Sequence, residues 1–375
     1  MNIQIFIKIN NFLNFKYFYK IIFFRNILIY KMYKKIIQKK ILPPYSITQL
    51  ELGNYKTRCN YTRKEIYASA RKYSCLHPEY NILETREFEN RFVYEVSDVV
   101  VDTLTGNIFD RSSSLILESS SWSTSWHVLA NAPGVNSIPL SHKFLKYEAK
   151  KSLIVPSNSF FHWVSEDIAP IIFLLKNRPT ADILVYKHAP KYVIDFLKAS
   201  NLNFKFVERY VKFQNYEFVS KIKDNSWPDL VDINIVRDYF HEKRENEIVN
   251  NVNKIYISRV NSKRSPSFEK DLCILLANNG WEIVYTEDLK LEEQISKFQH
   301  ADVIAGIQGA GLVGAIWSKP SCTLVEITNS DWRYTPVLAR LAAALEIKFK
   351  RINYSEKEDR LLDRVYYSLD NIAII

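Results

Sequence analysis

The sequence predicts an α/β protein built on parallel sheets, and three observations predict it. From Lys254 onward, short apolar strands alternate with amphipathic helices, and a second alternation of the same kind starts near Lys151. Between them they imply two α/β units with ligand-binding rims at the C-terminal ends of their strands. Third, the apolar run at 303–307 stops at Gln308-Gly309-Ala310-Gly311, a small-residue turn that leads into helix-compatible sequence. Such a turn lets a ligand phosphate approach backbone N–H groups at the positive end of a helix. A purely steric strand-to-helix turn uses glycine in the same way.

The N-terminal arm comes first. In residues 28–40, Ile29, Met32, Tyr33, Ile36 and Ile37 share one helical face, and Lys31, Lys34, Lys35, Gln38 and Lys39 share another. Pro43 and Pro44 end this basic amphipathic helix. Lys8, Lys16, Lys20 and Arg25 interrupt every stretch approaching the roughly 18 apolar residues of a membrane span, and no small-residue secretory cleavage site is present after them. The arm therefore reads either as an interfacial helix on an anionic membrane surface or as a helix packed on the protein itself.

The formal charge of +10 sits in this arm: residues 1–50 hold nine Lys or Arg and no Asp or Glu, which leaves the rest nearly neutral. That distribution argues against a nucleic-acid-binding body. Cys59, Cys75, Cys273 and Cys322 are dispersed without C-x-x-C spacing and read as reduced thiols of a cytoplasmic protein, not as a metal site.

Strand-like sequence at 91–101 and 114–118 opens the body. Then come strands at 152–155, 183–186 and 205–210, helices at 161–177 and 190–199, a loop through Trp227-Pro228, a helix at 229–243 and a polar linker at 246–253. The second unit offers strands at 255–258, 282–285, 303–307, 323–327 and 348–353. Its helices are expected at 267–279, stopped by Gly280, at 289–300, and at 356–368, the last free to pack across to the first unit. The expected divisions are an arm at 1–45, an acceptor-side domain at 46–245 and a nucleotide-binding domain at 246–375.

Candidate chemistry falls at strand ends. Arg259 and Arg264 come after the strand ending at Ser258, where guanidinium forks suit a diphosphate; with Lys263 they also read as a solvated basic run. Glu326 reads as a strand-end carboxylate for a ribose, or as a solvated one. His162 and Glu166, four apart on one helical face, with Asp167 beside them, offer a general base for an acceptor hydroxyl: Glu166 first, His162 positioning it or acting in its place, and Asp167 in reserve; a packed histidine is the alternative. Pro170 predicts an irregular start to that helix.

Together, His162-Trp163 through Pro170, Tyr256-Ile257-Ser258-Arg259 with Arg264, Glu293-Gln294-Ile295, Ala301-Asp302-Val303-Ile304, Gly309-Ala310-Gly311-Leu312 and Val325-Glu326 resemble glycosyltransferase family 61. The segment 99–110 also looks like the lead-in of bacterial members associated with capsular polysaccharide synthesis. The resemblance implies a GT-B fold of two Rossmann-like domains facing a cleft, behind the basic arm. It implies inverting transfer from a nucleotide sugar, a UDP-sugar first, to a hydroxyl of a glycan or lipid-linked acceptor. By the same resemblance Arg259 and Arg264 bind the donor diphosphate beside Gln308, Gly309, Ala310 and Gly311, and His162 and Glu166 take the family's histidine and acidic positions. Two positions depart: Gln308 stands where the family has His, and Gly314 where it has Asn. The absence of any D-x-D triplet fits transfer without an essential metal or other cofactor. The expected location is peripheral, on the cytoplasmic face of the membrane. The competing readings are a dinucleotide enzyme, disfavoured because the glycine turn comes late in its domain and lacks the G-x-G-x-x-G spacing, and a catalytically degenerate membrane-associated nucleotide-binding scaffold.

Overall fold

In the computed structural model the described residues are 49–50, 61–67, 73–76, 83–86, 90–110, 115–116, 145–147, 152–156, 160–177, 181–220, 228–241, 253–330 and 336–373. The expected arm helix and the linker at 246–252 lie outside them, as do both expected domain boundaries. Residues 49–375 form one compact unit. Among the described residues no helix is long and apolar enough to cross a membrane.

Nine strands come first: β1 (Gln49–Leu50), β2 (Tyr61–Tyr67), β3 (Tyr73–Leu76), β4 (Leu83–Arg86), β5 (Arg91–Asp102), β6 (Ile108–Phe109), β7 (Leu115–Ile116), β8 (Leu145–Tyr147) and β9 (Ser152–Val155). Helix α1 (160–177), β10 (Asp182–Tyr186), α2 (Lys191–Ala199), β11 (Phe204–Val207), β12 (Tyr210–Val219) and α3 (Leu230–His241) come next. The remainder is β13 (Asn253–Ile257), α4 (Glu269–Asn278), β14 (Glu282–Val284), α5 (Leu291–His300), β15 (Ala301–Ile307), a 3₁₀ helix (Ala310–Trp317), β16 (Thr323–Asn329), α6 (Val337–Ala344), β17 (Lys348–Tyr354) and α7 (Leu361–Ala373).

These strands build a mixed sheet of β1, β7, β6, β5, β12 and β8 with β2 on β5, a β3–β4 hairpin, and two parallel sheets, ordered β11-β10-β9 and β14-β13-β15-β16-β17. The layers stack on apolar faces. Ile154, Leu184 and Val207 of the three-stranded sheet meet Val99, Val211 and Phe213 of the mixed sheet. Its other face, with Val155 and Val185, shares one continuous core with α1–α3, α5, the 3₁₀ helix, α6 and the near face of the five-stranded sheet. On the far face of that sheet, α4 and α7 pack through Leu272, Leu276, Val365 and Leu369. The last helix, left free by the sequence to pack across to the first unit, has Val365 and Leu369 in the core on its own sheet.

Several elements differ from the sequence reading, which gives no counterpart for β1 to β4, β6 or β8. The strand expected at 205–210 is two strands, the second being the long β12 paired antiparallel with β5. Helix α6 has no counterpart in the sequence reading, although Leu338, Leu341, Ala342 and Leu345 recur at helical spacing. Its Arg340 pairs with Glu84 of β4 at 2.8 Å. Helix α7 starts five residues later than expected, because the Ser355 N–H donates to Glu358 Oε1 in a turn and Arg360 takes a left-handed φ of 52°.

Candidate functional site

In the five-stranded sheet the chain winds out from β13 in both directions: to β14 on one side, and through β15 to β17 on the other. The order reverses between β13 and β15, and such a switch point leaves a crevice outside the carboxyl ends of the two strands. Ser258-Arg259 comes directly after β13 and Gln308-Gly309 directly after β15, so both predicted motifs fall on this crevice.

They are in contact. The half-buried Arg259 sends Nη1 to the Gln308 carbonyl and Nη2 to Ser262 Oγ at 3.3 Å. A Cβ on Gly309 would lie 2.5 Å from Nη1 and 2.8 Å from Cζ, so glycine is what lets the guanidinium cross the turn. Beyond the turn, the 3₁₀ helix opens with N–H groups that no earlier turn satisfies. The Gln308 N–H donates to the Ile327 carbonyl at 2.8 Å, which ties the turn to β16. Burial, and then the neighbouring Arg264, hold the Arg259 guanidinium below its ordinary value. Arg264 is exposed, its N–H on Ser262 Oγ at 3.3 Å.

The Arg259 loop has an organiser that the sequence reading missed. Glu269, fully buried in the first turn of α4, accepts from the Arg259 N–H at 2.7 Å, Ser265 Oγ at 2.6 Å and the Tyr256 hydroxyl at 3.3 Å. Burial and the Glu269 charge push the Tyr256 hydroxyl well above its ordinary value. In sequence, Glu269 looks like a charge that merely complements a helix dipole.

Glu326 departs from its predicted place. Strand β16 continues to Asn329, so Glu326 is internal, fully buried and in register between Gly306 and Arg351, not at the rim. Polar Thr328 and Asn329 extend the ladder beyond the apolar run that marked the strand in sequence.

In the other half, α1 begins after β9 with a regular turn and then widens into a π-helical turn, Trp163–Asp167, closed by the Ile168 N–H on the Trp163 carbonyl. Pro170 explains the irregularity: it has no N–H for the Glu166 carbonyl, and its ring crowds that carbonyl in a regular α-turn. Within the wide turn, His162 Nδ1 and Glu166 Oε1 are 2.6 Å apart, the side chains 20% and 2% exposed. An ionised Glu166 takes the Nδ1–H, which leaves Nε2 as the lone-pair nitrogen of the more exposed partner. Asp167 is buried beside them, and its charge adds to burial in raising the Tyr192 hydroxyl.

Among the contacts that join the halves, two lie near the rims. The first turn of α1 packs against the 3₁₀ helix. Lys191, just after β10, donates to the carbonyls of Glu287 and Leu289, just after β14, at 3.4 and 3.2 Å. The C-terminal rims of both parallel sheets therefore meet.

With this geometry in place, comparison with known families bears directly on the segment that carries it. Residues 160–325 match the family model of glycosyltransferase 61. The matched segment runs from the start of α1 into β16 and so includes every predicted site residue except Glu326, one position beyond it; the 99–110 lead-in lies outside it. No curated protein matches the chain. The match supports a sugar-transferring enzyme.

Two motifs of the glycosyltransferase 61 segment acquire reasons. In Glu293-Gln294-Ile295, the Glu293 carboxylate caps α5 by accepting the Lys290 N–H at 2.7 Å, and the buried Gln294 donates to the Thr286 carbonyl at 2.7 Å and to that of Leu289 at 3.3 Å. At Gly314 the Phe298 ring of α5 lies where a Cβ would project, so any side chain there would require the ring to move. Gln308, partly exposed, meets Arg259 and β16 through its backbone carbonyl and N–H.

Proposed function

We propose that the chain is an inverting glycosyltransferase of the GT-B type that moves a sugar from a nucleotide-sugar donor, a UDP-sugar first, to a hydroxyl of a glycan or lipid-linked acceptor. The single observation carrying this reading is Arg259 held across the Gln308-Gly309 turn at the switch point of the five-stranded sheet. There a half-buried guanidinium lies across a glycine turn that opens a 3₁₀ helix, with Arg264 in the same loop, and these are groups that suit a diphosphate.

In the reaction, the acceptor hydroxyl gives up its proton as its oxygen attacks the anomeric carbon from the face opposite the diphosphate. The carbon–oxygen bond to the diphosphate breaks, and the electron pair leaves with it. The His162–Glu166 pair supplies the base. Its geometry favours Nε2 of His162 as the atom that takes the proton, with Glu166 fixing the ring and balancing the imidazolium, and with Asp167 behind them. This inverts the simpler expectation that the carboxylate itself is the base. Arg259, Arg264 and the helix start neutralise the leaving diphosphate without a metal. The basic arm holds the enzyme on the anionic cytoplasmic face of the membrane, in surface polysaccharide synthesis of the capsular type.

Release of nucleoside diphosphate from UDP- and GDP-sugars, followed with and without added polysaccharide or lipid-linked acceptor, tests the reading. Turnover with one donor, unchanged in excess EDTA, is expected. Turnover abolished by EDTA and restored by manganese would contradict the metal-free part, and no release from any donor would leave the scaffold reading in its place.

A further inference from the structure

The predicted ribose carboxylate, Glu326, is buried in mid-strand, so a donor bound at Arg259 needs another group for its nucleoside. The two sides of the switch point differ. On the β16 side the described residues are tied down: Thr328 and Asn329 are buried, and the Ser330 N–H and hydroxyl both donate to the Tyr354 carbonyl, at 2.7 and 2.9 Å. On the β14 side the rim is open, with Thr286 half-buried and Glu287 exposed.

Strand β14 is hydrogen-bonded to β13 with Val284 opposite Ile257, so Thr286 and Glu287 run alongside the Arg259 loop. Asn261 of that loop donates to Glu287 Oε1 at 3.1 Å. Thr286 Oγ1 lies 3.6 Å from where a Cβ on Gly311 would stand, an ordinary contact distance, so the hydroxyl borders the start of the 3₁₀ helix. The backbone here is pinned from two directions, by Gln294 on the Thr286 and Leu289 carbonyls and by Lys191 on the Glu287 and Leu289 carbonyls. Holding the loop in one shape lowers the cost of ordering it on binding. What the loop offers is a carboxylate with acceptor capacity beyond its one bond to Asn261, and a hydroxyl beside it. Vicinal hydroxyls are two donors that such a carboxylate accepts side by side.

We propose that Glu287, with Thr286 beside it, is the ribose subsite of the donor site, so that the enzyme selects ribonucleotides over deoxyribonucleotides. This rests on the reading of Arg259 as the diphosphate ligand.

Titration calorimetry on the full chain separates the two assignments, with UDP, GDP, their 2′-deoxy counterparts and inorganic pyrophosphate as probes against the unaltered protein, Glu287→Ala and Arg259→Ala. The expected pattern is a ribonucleotide bound about tenfold or more tightly than its deoxy form by the unaltered chain, as loss of a hydrogen bond to a charged group implies. In Glu287→Ala the two forms should bind alike, while pyrophosphate, which has no ribose, binds as before. Discrimination that is absent from the unaltered chain, or that survives in Glu287→Ala, overturns the ribose assignment and leaves Arg259 untouched. Failure of every probe to bind, or binding indifferent to Arg259→Ala, overturns the diphosphate reading and the ribose subsite with it.

Discussion

His162→Ala is expected to lower kcat by about 10²- to 10⁴-fold, the contribution of a positioned general base, with little change in donor KM. The reason is geometric. Glu166 lies behind the ring with its side chain 2% exposed, whereas the imidazole is the partner that reaches solvent. Glu166→Gln keeps an acceptor near Nδ1 but removes the charge that balances an imidazolium, so it too should lower kcat. Added imidazole should restore part of the activity of His162→Ala, because that substitution opens space for a free base, and none of the activity of Glu166→Gln. Near-normal turnover in both variants would remove the pair from the reaction.

Arg91→Met should be the most destabilising of the substitutions considered, by about 3–5 kcal/mol, the range for removing one partner of a buried ion cluster. Arg91, at the start of β5, reaches Asp232 at 2.6 Å and Asp229 at 3.4 Å, and all three side chains are buried. Asp229 also accepts the Val231 N–H at 3.0 Å at the head of α3. The cluster thus fastens the mixed sheet to a helix of the shared core, and methionine would leave two carboxylates buried without the guanidinium. A urea titration reads the effect as a fall in midpoint at unchanged slope. A midpoint within a few tenths of a kcal/mol of the unaltered chain would mean that water reaches the carboxylates.

These effects differ in how far a sequence reveals them. Arg259 and the Gly309 turn are legible because each comes after an apolar strand, and a parallel sheet puts all such ends on one rim. Pro170 announces the wide turn that carries Glu166. The rest depends on distant partners. Glu269 opens a helix as an ordinary first-turn acid would, so nothing in the pattern marks it as the anchor of Arg259, and Gln294 acts on a loop that precedes its own helix. Nothing near Gly314 in the sequence shows that the Phe298 ring lies against it. Glu326 is misplaced by the sequence because the apolar run ends at Ile327 while the hydrogen-bonded ladder runs on through Thr328 and Asn329. Strand β12 is cut short because Tyr210–Val219 mixes Lys212, Gln214, Asn215 and Glu217 with its aromatics, and only its pairing with β5 shows the whole length.

The central claim is that a nucleotide sits against Arg259. A thermal-shift series with UDP, GDP, CMP and their sugar conjugates, on the unaltered protein and on Arg259→Ala, tests it most directly, since a ligand that binds only the folded state raises the melting midpoint by mass action. The account predicts that one nucleotide raises the midpoint of the unaltered chain and that the shift disappears in Arg259→Ala. A shift of equal size in both proteins, or none with any nucleotide, would contradict it.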